Sequence, residues 1–224
     1  IEILAKNRRR FEEHGVKVLV PQEETAHRCF DKYEMFQYLS SCGIPTVPTW
    51  ASFEKFDVAY QEGVIEFPVF VKPRTGSGSV GARRIDTYKE LISVMHQNNN
   101  LIVQKLMTGR DIDADVYIDI ISGRAVSAFT KWKLETRIGG ASKTVSFKDE
   151  MLFNFIQQVV STMQFIGPID MDFFYQDGKY YLSEVNPRFG GAYLHAYGAG
   201  VDFIKLIENN LRGIENAPVF GNYE

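Results

Sequence analysis

The sequence predicts an α+β fold on three observations. Apolar stripes at helical spacing and strands of alternating polarity both occur, so neither an all-helical nor an all-β chain fits. The strand-like segments tend to come in pairs joined by short turns such as Ser122-Gly123 and Asp177-Gly178, which argues against regular alternation into a parallel sheet. With 224 residues, 45% of them hydrophobic and 24% charged, the chain can form one or two domains with cores of their own.

The composition also excludes several functions. The 25 basic and 28 acidic residues leave a net charge of −3, so there is no basic excess for a nucleic-acid backbone. No apolar run approaches the roughly 18 residues needed to cross a bilayer. No signal-peptide pattern opens the chain, and the expected location is cytoplasmic. Cys29 and Cys42 lack CxxC spacing and are expected to be buried free thiols.

Residues 1–14 carry Ile3, Leu4, Asn7 and Phe11 at helical spacing, with Gly15 at the C-cap position and Arg8-Arg9-Arg10 as a solvated face. The segment Val16-Lys17-Val18-Leu19-Val20 then reads as a strand stopped by Pro21. One helix and one strand cannot bury their own apolar faces, so residues 1–20 are expected to be the end of a preceding domain. Asp31 with Glu34 forms a capping-box pattern that opens a helix ending before Gly43. A strand over residues 67–73, a polar glycine loop over 74–79 and a second extended segment over 80–85 follow. Thr87 and Glu90 then cap a helix running to about Gln97. Residues 101–104 read as a strand, and a second sheet starts near Ile112. Residues 149–164 give the clearest helix, with Asp149 as N-cap and Leu152, Phe155, Ile156, Val159 and Met163 on one stripe. A hairpin over 169–186 follows, then a helix marked by Ile204, Ile207 and Leu211 and stopped by Gly213. Residues 214–224 read as a truncated tail.

Two constellations point to chemistry. Gly76-x-Gly78-x-x-Gly81 has the dinucleotide-binding spacing, but that site needs a helix straight after the third glycine, and residues 82–85 read as extended. No Gly-Lys-Ser/Thr follows, so a Walker loop is excluded too. A small-residue lid remains, whose amides and serine hydroxyls fit polyphosphate, with Lys72 as the cation at its base. The second constellation is the hairpin bearing Asp170, Asp172, Glu184 and Asn186. A two-residue Asp177-Gly178 loop pairs Asp172 with Ser183 and sends Glu184 to the far side, whereas a three-residue loop with a glycine bulge places both carboxylates on one face. If they share a face, two adjacent anions call for a cation, and all-oxygen ligation by Asp172, Glu184 and Asn186 suits Mg²⁺. Arg188, just past Pro187, supplies a fixed positive charge for a transferring phosphoryl group.

The segment Phe70-Val71-Lys72-Pro73 with its glycine-serine loop, and Ser183-Glu184-Val185-Asn186-Pro187-Arg188, resemble the ATP-grasp superfamily, most closely the ATP-grasp domain of carbamoyl-phosphate synthase large chains and related amino-acid ligases. The resemblance implies two α+β subdomains gripping ATP. They would form an ATP-grasp domain over 21–213, with a lid subdomain of about 45–103 and a second subdomain of about 104–213, preceded by the remnant of a Rossmann-like domain. It implies that Lys72, Gly76, Ser77, Gly78 and Ser79 hold the phosphates. Gln104 and Lys105 would meet the adenine edge, with the backbone at Leu106 or Met107 reading the ring nitrogens. The family's commoner acidic hinge residue is replaced by Gln104 here. Asp111 would hold the ribose. Asp172, Glu184 and Asn186 would hold one or two Mg²⁺ ions, for which Mn²⁺ can substitute, and Arg188, Asn186 and Arg137 would act on the γ-phosphate. Lys131, Lys133, Gly190, Gly191 and His195 would border the acceptor pocket. The implied activity is an ATP-dependent carboxylate–amine ligase acting through an acyl phosphate. Its partners would be small-molecule carboxylate and amine substrates, with neither nucleic acid nor membrane, and a homodimer through the N-terminal region is common in such proteins. The alternative is an ATP/Mg²⁺-binding module that is non-catalytic or regulatory.

Overall fold

The computed structural model describes residues 1–76, 81–137 and 140–223. The chain opens with α1 (Glu2–Lys6) and α2 (Arg8–Glu12), then α3 (Glu23–Phe30), α4 (Lys32–Ser41), β1 (Thr49–Trp50) and α5 (Phe53–Gln61). Next come β2 (Val69–Pro73), β3 (Arg83–Ile85), α6 (Tyr88–Gln97) and β4 (Leu101–Lys105). The second half holds β5 (Arg110–Ile118), β6 (Ala125–Arg137), β7 (Gly140–Phe147), α7 (Glu150–Thr162), β8 (Gly167–Gln176), β9 (Lys179–Asn186), α8 (Tyr193–Gly198), α9 (Phe203–Leu211) and β10 (Val219–Phe220).

Among the described residues these form two sheets. The smaller has the order β1-β4-β2-β3, and its pairs are all antiparallel. The glycine loop therefore joins two antiparallel strands, as the sequence predicts. One face of this sheet, with Val69, Val71, Ile85 and Val103, packs against Phe56, Leu91 and Val94 of α5 and α6. The other face carries Phe70, Lys72 and Gln104. The larger sheet runs β10-β6-β5-β8-β9, with β7 paired to β6. Period-two alternation sorts its residues: Ile112, Ala114, Val116, Met171 and Phe173 turn to a core closed by Leu152, Phe155, Ile156 and Val159 of α7. The opposite face carries the acids Asp111, Asp113, Asp115, Asp170 and Asp172.

Several sequence expectations need correction. Residues 16–20 are not a strand. Val18 and Val20 instead bury with Ala5 and Ala26, and the Arg8 guanidinium donates to the carbonyls of Val18, Val20 and Pro21. Arg8 thus leaves the solvated run, while Arg9 and Arg10 stay exposed. Asp31 caps α4 by accepting from the amides of Tyr33 and Glu34, but its own amide donates to His27 rather than to Glu34, so only half of the capping box forms. Cys29 is buried but Cys42 is exposed. Helices α3 and α5 had no expectation attached. Among the described residues no helix is long and apolar enough to cross a membrane.

The segment read as a tail packs into the larger sheet. β10 adds parallel to β6, and the buried Tyr223 hydroxyl donates to the Phe147 carbonyl at 2.8 Å. Asp119, fully buried after β5, anchors this segment. It accepts from the amides of Ile121, Ser122 and Asn216 and from the side-chain nitrogens of Asn210 (2.6 Å) and Asn216 (2.9 Å). Burial pulls its pKa up, but the donors from Asn210, Ser122 and Asn216 outweigh this and hold the carboxyl well below the usual range. A carboxyl depressed in the folded state adds stability that is present above its unfolded value near 4 and is lost as pH falls below it. Asp119→Ala is therefore expected to cost about 2–4 kcal/mol at pH 7. The gap from wild type in urea unfolding should shrink toward pH 3, and a gap that does not depend on pH would contradict this reading.

Candidate nucleotide-binding cleft

The cleft is built by a register detail that the turn alone does not reveal. The β8–β9 turn is the two-residue Asp177-Gly178 loop, with Gln176 opposite Lys179 and both turn residues at positive φ (52° and 76°). Continued without interruption, that register would put Asp172 opposite Ser183. The ladder slips between Asp172 and Phe173: Phe173 pairs with Leu182, but Asp172 pairs with Glu184, leaving Ser183 as the extra residue. The bulge restores Asp172 and Glu184 to one face, with Asp170 opposite Asn186 beside them. Residues 45–47 brace the outer side of β9 next to the bulge, with the Leu182 amide donating to the Pro45 carbonyl and the Val47 amide to the Leu182 carbonyl.

These residues border a cavity of about 910 Å³. Phe70, Lys72, Gln104, Lys105, Leu106 and Met107 come to it from the smaller sheet and the segment that follows. Asp111, Asp113, Lys133, Asp170, Asp172, Glu184, Asn186 and Arg188 come from the larger, and Thr75, Gly76 and Gly191 line it too. Of the residues expected from sequence, Ser77, Gly78 and Ser79 lie outside the described residues.

Charges in the cleft are interleaved. Lys133 Nζ lies 2.9 Å from Asp111 and 2.5 Å from Asp172, and its attraction to Asp172 and Asp111 outweighs burial and pushes its pKa up. Burial pushes Asp111 up against the pull of Lys133. Lys72 Nζ is 3.7 Å from Glu184, and burial lowers its pKa although Glu184 opposes the shift. Lys32, to which the sequence reading gave no role at the cleft, reaches 4.0 Å from Glu184 and donates to the Gly76 carbonyl at 2.6 Å. The Lys32 amide also donates to the Arg74 carbonyl, and the Arg74 guanidinium grips Asp31 at 2.7 Å. The N-cap and first residue of α4 are thereby tied to the base of the glycine loop.

Beneath the cleft lies a buried group formed by Asp113, Asp115 and Asp170, whose ligand atoms are within 4.8 Å of one another. Lys131, 0% exposed, bridges Asp113 at 2.9 Å and also pairs with Asp115. The attraction of these two carboxylates outweighs burial and raises the Lys131 pKa. Arg188 reaches Asp170 at 3.0 Å. Burial pushes the Asp115 carboxyl up to about 6 and Asp170 upward as well. A Cβ at Gly190 would stand 3.0 Å from Asp170 Oδ1 and closer still to Asp115 Oδ1, so only glycine lets the backbone approach here. The period-two run Asp111-x-Asp113-x-Asp115 was the signal that could have revealed this layer.

The remaining expected residues fall elsewhere. Arg137 is exposed and paired with Glu135 at 2.6 Å; it does not line the cavity, although its strand partner Gly140 does. Lys131 is a buried counter-ion rather than a cleft surface. His195 borders a separate, open depression with Lys148 and Tyr223, bonds Thr144 through Nδ1 at 2.6 Å and packs its ring on Phe129. Burial, then Lys131, lowers its pKa.

The donor set fits Mg²⁺. Asp172, Glu184 and Asn186 can supply oxygen ligands, Asp172 and Glu184 are directly cross-strand, and among the described residues neither histidine nor a thiol lines the cavity.

The chain is similar to several known proteins. The carbamoyl phosphate synthase large chain of Agathobacter rectalis is 23% identical over 198 residues, covering 78% of this chain and 18% of that protein. The D-alanine–D-alanine ligase of Listeria monocytogenes is 25% identical over 183 residues, covering 70% of this chain and 50% of that one. The chain thus spans half or less of the length of these relatives. Among solved structures, the biotin carboxylase domain of Hydrogenobacter thermophilus 2-oxoglutarate carboxylase, determined with MgADP and bicarbonate, superposes with a TM-score of 0.80 at 19% identity, covering 99% of this chain and 54% of that one. A family profile described as the ATP-grasp domain matches residues 29–192, and the chain belongs to that family.

Proposed function

We propose that this chain is the nucleotide-handling part of an ATP- and Mg²⁺-dependent carboxylate–amine ligase that works through an acyl phosphate. The observation that carries the proposal is the bulge-set pair Asp172 and Glu184, with Lys72 Nζ 3.7 Å from Glu184, on a cavity with room for a nucleotide.

In this reading Phe70 and the segment 104–107 take the base, and Asp111 takes the ribose. Lys72 and the Gly76 end of the loop lie against the phosphates. Asp172, Glu184 and Asn186 hold Mg²⁺, which when bound neutralises phosphate oxygens as charge moves onto them. A substrate carboxylate oxygen attacks the γ-phosphorus and ADP leaves. The amine then adds to the acyl carbon and expels phosphate. Arg188, held by Asp170, faces the transferring group with a positive charge that needs no reorientation. Residues 74–76, anchored to α4 through Lys32 and Asp31, border the phosphates and help to exclude water that would hydrolyse the intermediate.

The test is a screen for ADP release by the full-length protein over amino acids, dipeptides and bicarbonate, each with and without an amine. Turnover should require one particular carboxylate. ATP binding with no substrate-stimulated ADP in any combination would reassign the chain as a binding module.

A further inference from the structure

We propose that Thr49 selects the purine base by fixing which way the Gln104 side-chain amide points. The proposal rests on the nucleotide reading above and goes one residue beyond it. Gln104 on β4 lies directly opposite Thr49 of β1 and Phe70 of β2, on the sheet face that also carries Lys72. Thr49 and Gln104 are 4% and 5% exposed, so the pair is shielded from water that could substitute for either partner. The Thr49 hydroxyl donates to the Val47 carbonyl at 2.7 Å, and Gln104 Nε2 donates to Thr49 Oγ1 at 2.8 Å.

A hydroxyl has one proton. Once that proton is committed to Val47, Oγ1 can only accept, and it requires the NH₂ end of the Gln104 amide against it. The reversed amide would set two oxygens together with no proton between them. Gln104 therefore offers the cleft its carbonyl oxygen, an acceptor. Adenine presents an amino group at position 6 and can donate to that oxygen. Hypoxanthine and guanine present an oxygen there and would be repelled. A carboxylate at residue 104 would make this distinction unaided, because both its oxygens accept; a glutamine makes it only when its orientation is held. Thr49 is thus a positioning residue whose effect should appear in the choice between bases rather than in overall affinity.

The experiment measures dissociation constants of Mg·ATP and Mg·ITP on the full-length protein by calorimetry, with a thermal melt of each variant. Wild type is expected to favour ATP by about tenfold or more, the factor that one well-made hydrogen bond supplies. Thr49→Val, or Thr49→Ala should the first variant melt early, frees the amide to turn and should lower the wild-type ratio by about threefold or more, leaving any preference that backbone contacts to the ring nitrogens retain. Thr49→Ser keeps the hydroxyl and should keep the preference. A folded Thr49→Val protein with the wild-type ratio would overturn the role of Thr49 while leaving the nucleotide reading intact. Failure of wild type to bind either nucleotide would overturn both.

Discussion

Lys131→Met is expected to lower the unfolding free energy by about 3–5 kcal/mol at pH 8, the penalty for stripping a buried ion group of its counter-charge. Lys131 on β6 is completely buried beside the two β5 acids that it neutralises, at 2.9 Å from Asp113 and in contact with Asp115. Methionine keeps the length and packing of the side chain, so the loss isolates the charge. Without the ammonium, Asp113 and Asp115 face each other and Asp170 across a few ångströms. With Lys131 in place, burial already pushes Asp115 up to about 6. Its removal raises the folded-state values further above the unfolded value near 4. An acid raised in the folded state costs stability as pH climbs from the unfolded to the folded value, so the deficit should be larger at pH 8 than at pH 5. Urea unfolding at both pH values measures it. A deficit under about 1 kcal/mol at both, the worth of an exposed pair, would contradict the buried-charge account.

The double variant Asp172→Asn with Glu184→Gln should lower the rate of ADP formation by at least about 10²-fold, because both metal carboxylates become neutral ligands while their size is kept. The fold should survive. Both side chains are partly exposed, and removing their charges relieves cross-strand repulsion while loosening contacts to Lys133 and Lys72. Steady-state ADP release with the substrate pair found by the screen checks it, with a thermal melt as control. Near-wild-type turnover would remove the metal assignment while leaving the fold untouched.

What the sequence revealed followed the strength of local signals. Residues 149–164 showed α7 because its stripe is long and its cap is an aspartate, and the antiparallel pair around the glycine loop followed from the absence of a helix after Gly81. The Glu184-Val185-Asn186-Pro187-Arg188 string pointed to the cleft. The face shared by Asp172 and Glu184 could not be read, because parity depends on a bulge at Ser183, five residues beyond the turn that was weighed. The bulge is stabilised by residues 45–47, and no local pattern encodes that contact. Residues 16–20 had strand propensity but no partner strand among the described residues, and Arg8 took up the carbonyls of Val18 and Val20 instead. Lys131 and Lys133 are alternate residues of one strand with different fates, one beneath the carboxylate layer and one at the cavity. Only the position of the neighbouring acids decides between them.

The central claim is that this cleft binds ATP through a divalent ion held by Asp172 and Glu184. Calorimetric titration of the full-length protein with ATP, with and without Mg²⁺, tests it most directly when repeated on Glu184→Gln. The account predicts saturable binding to wild type that tightens when Mg²⁺ is added, and binding to the variant that no longer responds to the ion. Wild-type binding that is indifferent to Mg²⁺, or an undiminished Mg²⁺ response in the variant, would contradict it.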